Sequence, residues 1–357
     1  MSKNINTETH LFIIWKNAYD KREFIIDDIK NKLDIIGLHE IQWSDEKFEE
    51  NLVRFYRKRP NMLDKMNGVG KGLFSLIVVE DKNPNYDYRD TSKGRKLVNY
   101  NIFDLKMKYR SMTGENDRIH STINIEETEH DLTLLLGLNT KDYKEQSVIN
   151  NWKNNFQLMK KDIVGSNGWD NISQLFYVLN STIPYVVMRN FEPLPENYFF
   201  KSHGDIDILV NNLKDAAWIL KAEPIFPEPH RVHMNVKINN EKIPFDIRYS
   251  GDNYYDKKWQ NNILSHRVFN KGFYIPDEEN HFYTLFYHGF IHKGRIKPEY
   301  IEKLIEIDNK FEEDSTSYDR MSLILRSFLI ENGYEVTRPE PSVFFNEENA
   351  NRIINVR

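Results

Sequence analysis

The sequence predicts an α+β chain of two modules. Three observations carry that reading. The first half alternates short apolar runs with segments of helical period, a polar, charge-rich stretch interrupts the middle, and the second half sets two aspartates on an apolar run followed by a helix and a hairpin pattern. At 357 residues the chain has apolar content for two cores. The composition shifts place a first module at residues 1–140, a connector at 141–168 and a second module at 169–357.

In the first half, His10 to Trp15 reads as an apolar strand. Lys21 to Leu33 carries Phe24, Ile25, Ile29 and Leu33 at helical spacing, and Gly37 is expected to stop that helical region. Leu38 to Trp43 reads as the next strand. Ser44 then offers an N-cap for a helix through Phe48, Leu52 and Phe55; Lys47 at the third helical position forms no capping box. After a loop with Gly68, Gly70 and Gly72, Leu73 to Glu80 is another strand, and a helix is expected around Ile102 to Tyr109. This β-α-β-α-β order suggests a ferredoxin-like sheet.

Local sequence in this half, from about Leu11 to Leu135, resembles the nucleoside diphosphate kinases. The likeness is carried by Phe12-Ile13-Ile14-Trp15-Lys16-Asn17-Ala18, by Lys71-Gly72-Leu73-Phe74-Ser75-Leu76-Ile77-Val78, and by Ile119-His120-Ser121-Thr122 followed by Glu126, Glu129 and Asp131. The resemblance implies that His120 is a catalytic phosphoacceptor, with Tyr56, Arg110 and Thr113 near nucleotide phosphates, and that the chain self-associates as a homo-oligomer. The sequence departs from the family where Trp15 stands in place of a lysine that here comes one residue later. On a strand, that offset turns the side chain to the other face. The segment between Thr113 and His120 is also shortened. Without phosphotransfer, His120 reads as a partly buried histidine bonded to its own turn.

Thr140 to Gly168 is polar, includes Asn150-Asn151-Trp152-Lys153-Asn154-Asn155, and breaks most clearly at Val164-Gly165-Ser166-Asn167-Gly168. Beyond it, Pro184 to Met188 reads as a strand, followed by Arg189-Asn190. His203-Gly204-Asp205-Ile206-Asp207-Ile208-Leu209-Val210 is the most informative stretch of the chain. Strand alternation points Asp205 and Asp207 to one side and Ile206 and Ile208 to the other. Paired carboxylates on an apolar strand either end in solvent or share a cation, and magnesium is the natural one because it takes oxygen ligands together with substrate phosphates. A helix near Leu213 to Ala222 follows. Then come a strand at His233 to Asn239, a turn at Asn239-Asn240-Glu241 and a second strand at Lys242 to Tyr249 that carries Asp246.

Gly-Asp-x-Asp on one strand, a helix, then an aspartate on a later strand resembles the nucleotidyltransferase fold of the DNA polymerase β superfamily, over roughly Ile183 to Lys293. That resemblance implies a two-metal Mg2+ site on Asp205, Asp207 and Asp246 around a nucleoside triphosphate donor, with Gly204 beside the phosphates. Asp246 would also help to deprotonate an acceptor hydroxyl. The small-residue pair that the family places after the preceding strand is replaced by Arg189-Asn190. Arg189 either holds phosphate through its guanidinium fork or pairs with a carboxylate. Trp259 begins a helix towards Arg267. On the helix from Glu278 to Lys293, His288 and His292 share a face. His288 and Lys293 are candidates for contacts to phosphate or acceptor, and the same histidines could equally pack with Tyr287 in a helix interface. Pro298 to Phe311 and Tyr318 to Asn332 read as amphipathic helices, the second stopped by Gly333; Pro339 to Arg357 gives no reading.

Charged residues make up 29% of the chain and the net charge is −5, so no nucleic-acid footprint is visible and a small-molecule acceptor is favoured. The absence of cysteine excludes disulfides, thiol nucleophiles and thiolate zinc sites. The start, Met1-Ser2-Lys3-Asn4, lacks the apolar stretch of a signal peptide and no run approaches membrane-spanning length, so a cytoplasmic protein without a membrane partner is expected. The function expected is transfer of a nucleoside monophosphate from an NTP, such as ATP, to a hydroxyl or phosphate of a small acceptor, with surface-glycan metabolism as one setting. The alternatives are histidine phosphotransfer in the first module and a non-catalytic nucleotide-binding regulator.

Overall fold

The computed structural model describes residues 7–57, 62–92, 94–114, 117–149, 155–196, 204–293, 296–307 and 317–355. The expectations placed on Met1 to Asn4, on Asn150 to Asn154, on His203, on Phe311 and on the last two residues lie outside these. The chain is α+β and divides into two compact units, 1–167 and 168–357.

Unit 1 runs β1 (Glu8–Ile14), α1 (Arg22–Lys30), β2 (Asp34–Gln42), α2 (Phe48–Tyr56), α3 (Met62–Val69), β3 (Phe74–Asp81), β4 (Tyr86–Thr91), β5 (Gly94–Asn99), α4 (Tyr100–Thr113), β6 (Ile119–Ser121), α5 (Ile125–Leu136), α6 (Thr140–Ile149) and β7 (Gln157–Lys160). Its five-stranded sheet has the order β6-β1-β3-β2-β7; β1 is antiparallel to both neighbours, β2 is antiparallel to β3, and β7 is parallel to β2. Every residue of β1 is buried, as a central strand covered on both faces requires. The apolar stripe of α1 (Ile25, Ile26, Ile29) meets Phe12, Ile14, Ile77 and Val79 from the sheet, and Tyr109 of α4 closes the same core.

Three sequence expectations change here. Gly37 does not stop a helix: it lies inside β2 at a register shift, where Tyr143 of α6 crosses so closely that a Cβ would sit 1.6 Å from its hydroxyl. Ser44 does not cap α2. Its amide and hydroxyl donate to Asp162 at 2.9 and 2.8 Å, and the helix starts four residues later, at Phe48, after Lys47, which makes no side-chain cap. The described residues of the stretch read as a connector fold with unit 1 as far as Asn167, because α6 packs on β2 and β7 extends the sheet.

Unit 2 runs α7 (Ile172–Thr182), β8 (Tyr185–Val187), β9 (Ile206–Val210), α8 (Leu213–Leu220), β10 (Glu223–Pro224), β11 (His233–Ile238), β12 (Glu241–Tyr249), α9 (Lys257–Ser265), β13 (Val268–Asn270), β14 (Phe273–Ile275), α10 (Glu278–Ile291), α11 (Pro298–Ile307), α12 (Tyr318–Asn332) and α13 (Glu347–Asn355). The sheet order is β10-β11-β12-β9-β8, with β9 and β12 parallel and the other pairs antiparallel. Trp169 opens the unit by exchanging backbone hydrogen bonds with Lys237 and Asn239, and its indole donates to Leu220 O at 2.9 Å. The β11–β12 hairpin closes through Asn239 and Asn240, both at positive φ (48° and 63°), as the two-residue turn that matches strand twist demands. The helical part is held by aromatics: Tyr283 stacks on Phe328 and Trp259 on Tyr334 beneath α10. None of the described helices is long and apolar enough to cross a membrane.

Candidate functional site

The hairpin and the parallel β9–β12 pair fix one row of side chains across three strands of unit 2. Asp246 on β12 lies in register with Asp207 on β9 and, on its other side, with His233 on β11. Neighbouring strands in register present such residues to the same face, so the row His233, Asp246, Asp207 is a product of pairing alone. Asp205, two residues before Asp207 on the same strand face, extends it outward and is exposed. Gly204 is also exposed, and a Cβ there would meet nothing within 4 Å, so the approach to Asp205 is open.

These groups border a cleft of about 300 Å³ lined by Arg189, Asp205, His233, Asp246, Arg248, Tyr254, His288, His292, Lys293 and the loop Ser342 to Phe344. Carboxylates thus face three cationic side chains across one opening. Asp207 is buried and its carboxylate accepts from Arg189. Burial raises the Asp207 carboxyl above its ordinary value, and Asp246 and Asp205 add to the rise against the pull of Arg189. Although desolvation opposes it, the charge on Arg189 is held by Asp207 and its other neighbours. Arg248 Nη2 donates to Asp246 Oδ2 at 3.1 Å. Arg248 Nε lies 3.0 Å from Asp246 Oδ1 but out of line, and neither atom has a hydrogen bond among the described residues.

The remaining wall is aromatic. Tyr254 Oη and His288 Nδ1 share a hydrogen bond of 2.6 Å, and Arg248 lies over the Tyr254 ring. Burial lowers the pKa of both His288 and His292, and the nearby Arg189 and Arg248 add to the effect, so both rings are neutral at neutral pH. His292 is 3% exposed, and neither of its ring nitrogens has a hydrogen bond among the described residues. A buried polar ring without partners is uncommon and points to a group that the cleft receives.

The sequence-derived candidates of unit 2 therefore converge: Asp205, Asp246, Arg189, His288 and Lys293 line one cleft, with Gly204 beside Asp205 and Asp207 behind Arg189. Of the three aspartates, Asp205 and Asp246 fit a cation together with His233, all three offering donor atoms within 4.8 Å of one another. The Asp207 carboxylate is occupied by Arg189, so a second cation there has to displace that guanidinium, and a cation on Asp246 shares that carboxylate with Arg248. His233, Arg248 and the 342–344 loop were not singled out from sequence, whereas the turn Gly251 to Asp256, which carries Tyr254, reads from sequence as lying close to the aspartates. His233 was readable: with a two-residue turn at Asn239-Asn240, five residues back from Ile238 lies opposite five residues on from Glu241.

In unit 1, His120 sits on β6 at 7% exposure with Nε2 2.6 Å from Asp131 Oδ2 on α5, and its ring packs edge-on against Phe55 and Tyr56. Burial lowers its pKa to about 4 although Asp131 pulls the other way. Trp15 is fully buried and donates to Tyr56 Oη at 3.0 Å, whereas Lys16 is exposed. Arg110 Nε donates to Ile119 O on β6 and Thr113 Oγ1 to Tyr109 O of its own helix, each at 3.0 Å, so both side chains expected near phosphates bond backbone carbonyls.

No family model and no curated protein matches this chain. Among solved structures it is similar to the nucleoside diphosphate kinase of Aquifex aeolicus, at 15% identity over 38% of this chain and 98% of that one, with a TM-score of 0.27.

Proposed function

We propose that unit 2 is a divalent-cation-dependent nucleotidyltransferase, moving a nucleoside monophosphate from an NTP to a hydroxyl or phosphate of a small acceptor. The observation that carries this reading is the register of Asp246 with Asp207 on adjacent parallel strands, with Asp205 beside them at the mouth of a cleft that also presents Arg189, Arg248 and Lys293. A triphosphate needs both kinds of group: cations on its outer oxygens and carboxylates that hold a metal. Asp205 and Asp246 hold the ion in this reading, and Lys293, exposed at the rim, meets the phosphates first. Arg189 is positioned by Asp207 rather than free to swing. When bound, a divalent ion neutralises the charge that develops on the transferring phosphate. Tyr254 and the neutral His288 and His292 wall the acceptor side and exclude water.

The strand order β6-β1-β3-β2 with β1 and β2 running the same way supports a ferredoxin-like core in unit 1. A second reading, phosphotransfer through His120, draws support from the short His120–Asp131 hydrogen bond, which orients the ring.

Calorimetric titration of ATP, CTP, GTP and UTP with Mg2+ or Mn2+ separates these readings. The expected result is cation-dependent binding of a nucleotide that falls at least about tenfold in Asp205→Asn/Asp246→Asn. Binding that ignores both aspartates, with phosphate exchange abolished by His120→Ala, would transfer the activity to unit 1.

A further inference from the structure

We propose that Asp205, His233 and Asp246 form a mixed oxygen–nitrogen site that prefers a first-row divalent transition-metal ion to Mg2+. The proposal concerns which ion these side chains accept, and it stands whether or not a nucleotide is processed.

Geometry is the first argument. The donor atoms of the three residues lie within 4.8 Å of one another, and His233 Nε2 is 3.9 Å from Asp246 Oδ2. That distance is too long for a hydrogen bond. It is close to the span of two ligands each about 2.1 Å from one ion, which is about 4.2 Å at most. Small side-chain rotations would close the set.

Unsatisfied atoms are the second argument. Asp246 is 5% exposed and pairs with Arg248, yet its Oδ1 has no hydrogen bond among the described residues, and neither has Nδ1 of His233. His292, on the wall of the same cleft, leaves both nitrogens unpartnered at 3% exposure. Buried polar atoms are rarely left so, and four on one cleft, from three residues, mark a place built for a polar occupant.

Donor chemistry decides the ion. Asp207 is turned to Arg189, so three carboxylates do not converge; the third donor at hand is an imidazole. Mg2+ demands oxygen ligands in near-ideal octahedral geometry, whereas imidazole suits the transition metals, and Mn2+ accepts both donor types. Two carboxylates and one imidazole nitrogen suit a dication, and the exposed side of Asp205 leaves coordination positions open to water and phosphate.

The test uses the full chain, stripped with a chelator and titrated with Mn2+ without nucleotide, following the paramagnetic resonance of the free aqua ion. One Mn2+ per chain is expected, displaced only by a large excess of Mg2+, of order a hundredfold. His233→Gln should weaken Mn2+ by about tenfold or more, and Asp246→Asn should do at least as much. Circular dichroism on each variant controls for folding; if Asp246→Asn unfolds, the half-buried His233 decides alone. Wild-type affinity in His233→Gln, or equal affinity for Mg2+ and Mn2+, overturns the proposal. Mn2+ held through His233 by a chain that binds no NTP keeps this site and removes the transferase reading. NTP binding that is indifferent to His233 does the reverse.

Discussion

Among the described glycines of unit 1, Gly37 is where an added methyl group would come nearest another atom. A Cβ would sit 1.6 Å from Tyr143 Oη and 2.9 Å from the ring carbon that bears it, and that hydroxyl is 2.7 Å from His39 Nε2. Gly37→Ala must therefore displace Tyr143, and overpacking of this kind costs roughly 1–3 kcal/mol. We expect a lower urea midpoint for Gly37→Ala and a smaller penalty for the same change in a Tyr143→Phe background, which lacks the nearest atom. An identical loss in both backgrounds would show that the hydroxyl is not the obstacle. At this scale the sequence was partly legible. Aspartates on an alternating strand announce their face, which is why Asp205, Asp207 and Asp246 could be named from it. A glycine inside a strand, by contrast, looks like a terminator until the residue leaning on it is known, and Tyr143 lies more than a hundred positions away.

The elements that sequence located best are those whose ends carry their own chemistry. Helix α12 spans the expected residues because Ser317 caps its start and Gly333, at φ 65°, ends it. Helix α5 has a reciprocal box: Glu127 N donates to Asn124 Oδ1 and Ile123 N donates to Glu127 Oε2, both at 2.9 Å. Asn124→Ala should cost about 1 kcal/mol, seen as a lower thermal midpoint of unit 1. Because α5 carries Asp131, His120 should become more accessible to diethyl pyrocarbonate in that variant; unchanged labelling would detach the cap from the dyad. The β4–β5 hairpin escaped notice because its strands are mostly exposed and lack an alternating apolar face. Ser44 was misassigned because a serine before an apolar period looks the same whether it serves its own helix or a distant aspartate.

Each unit of the whole molecule has a core of its own, one built on aliphatic strands and the other on stacked aromatics under α10. Unit 1 also buries titratable histidines. Burial lowers the His39 pKa from 6.5 to about 4, with Lys161 adding to the effect, and burial lowers His10 against the pull of Glu8. Between pH 4 and 6.5 the unfolded chain binds the proton that folded His39 refuses, so stability rises with pH across that window and is lost as pH falls from 6.5 towards 4. The His39 share is on the order of 3 kcal/mol at most. His39→Gln, which can keep a hydrogen bond to Tyr143, should flatten the pH dependence of the urea midpoint in that range. A slope equal to wild type would assign the acid sensitivity elsewhere. The fold class was legible at this scale, but the extent of unit 1 was not, because β7 joins its sheet through backbone pairing that leaves no composition signal.

The two asparagines that close the β11–β12 hairpin have a consequence well away from their own position. They touch nothing in the cleft, yet they act as its gauge: a hairpin longer by one residue would slide His233 past Asp246 and turn it to the opposite side of the sheet. Under the proposed metal site, the choice between an all-oxygen and a mixed donor set is written in the length of a surface turn, where natural variation is least constrained. On that proposal, a change in turn length alone changes the ion preference with every proposed ligand side chain kept.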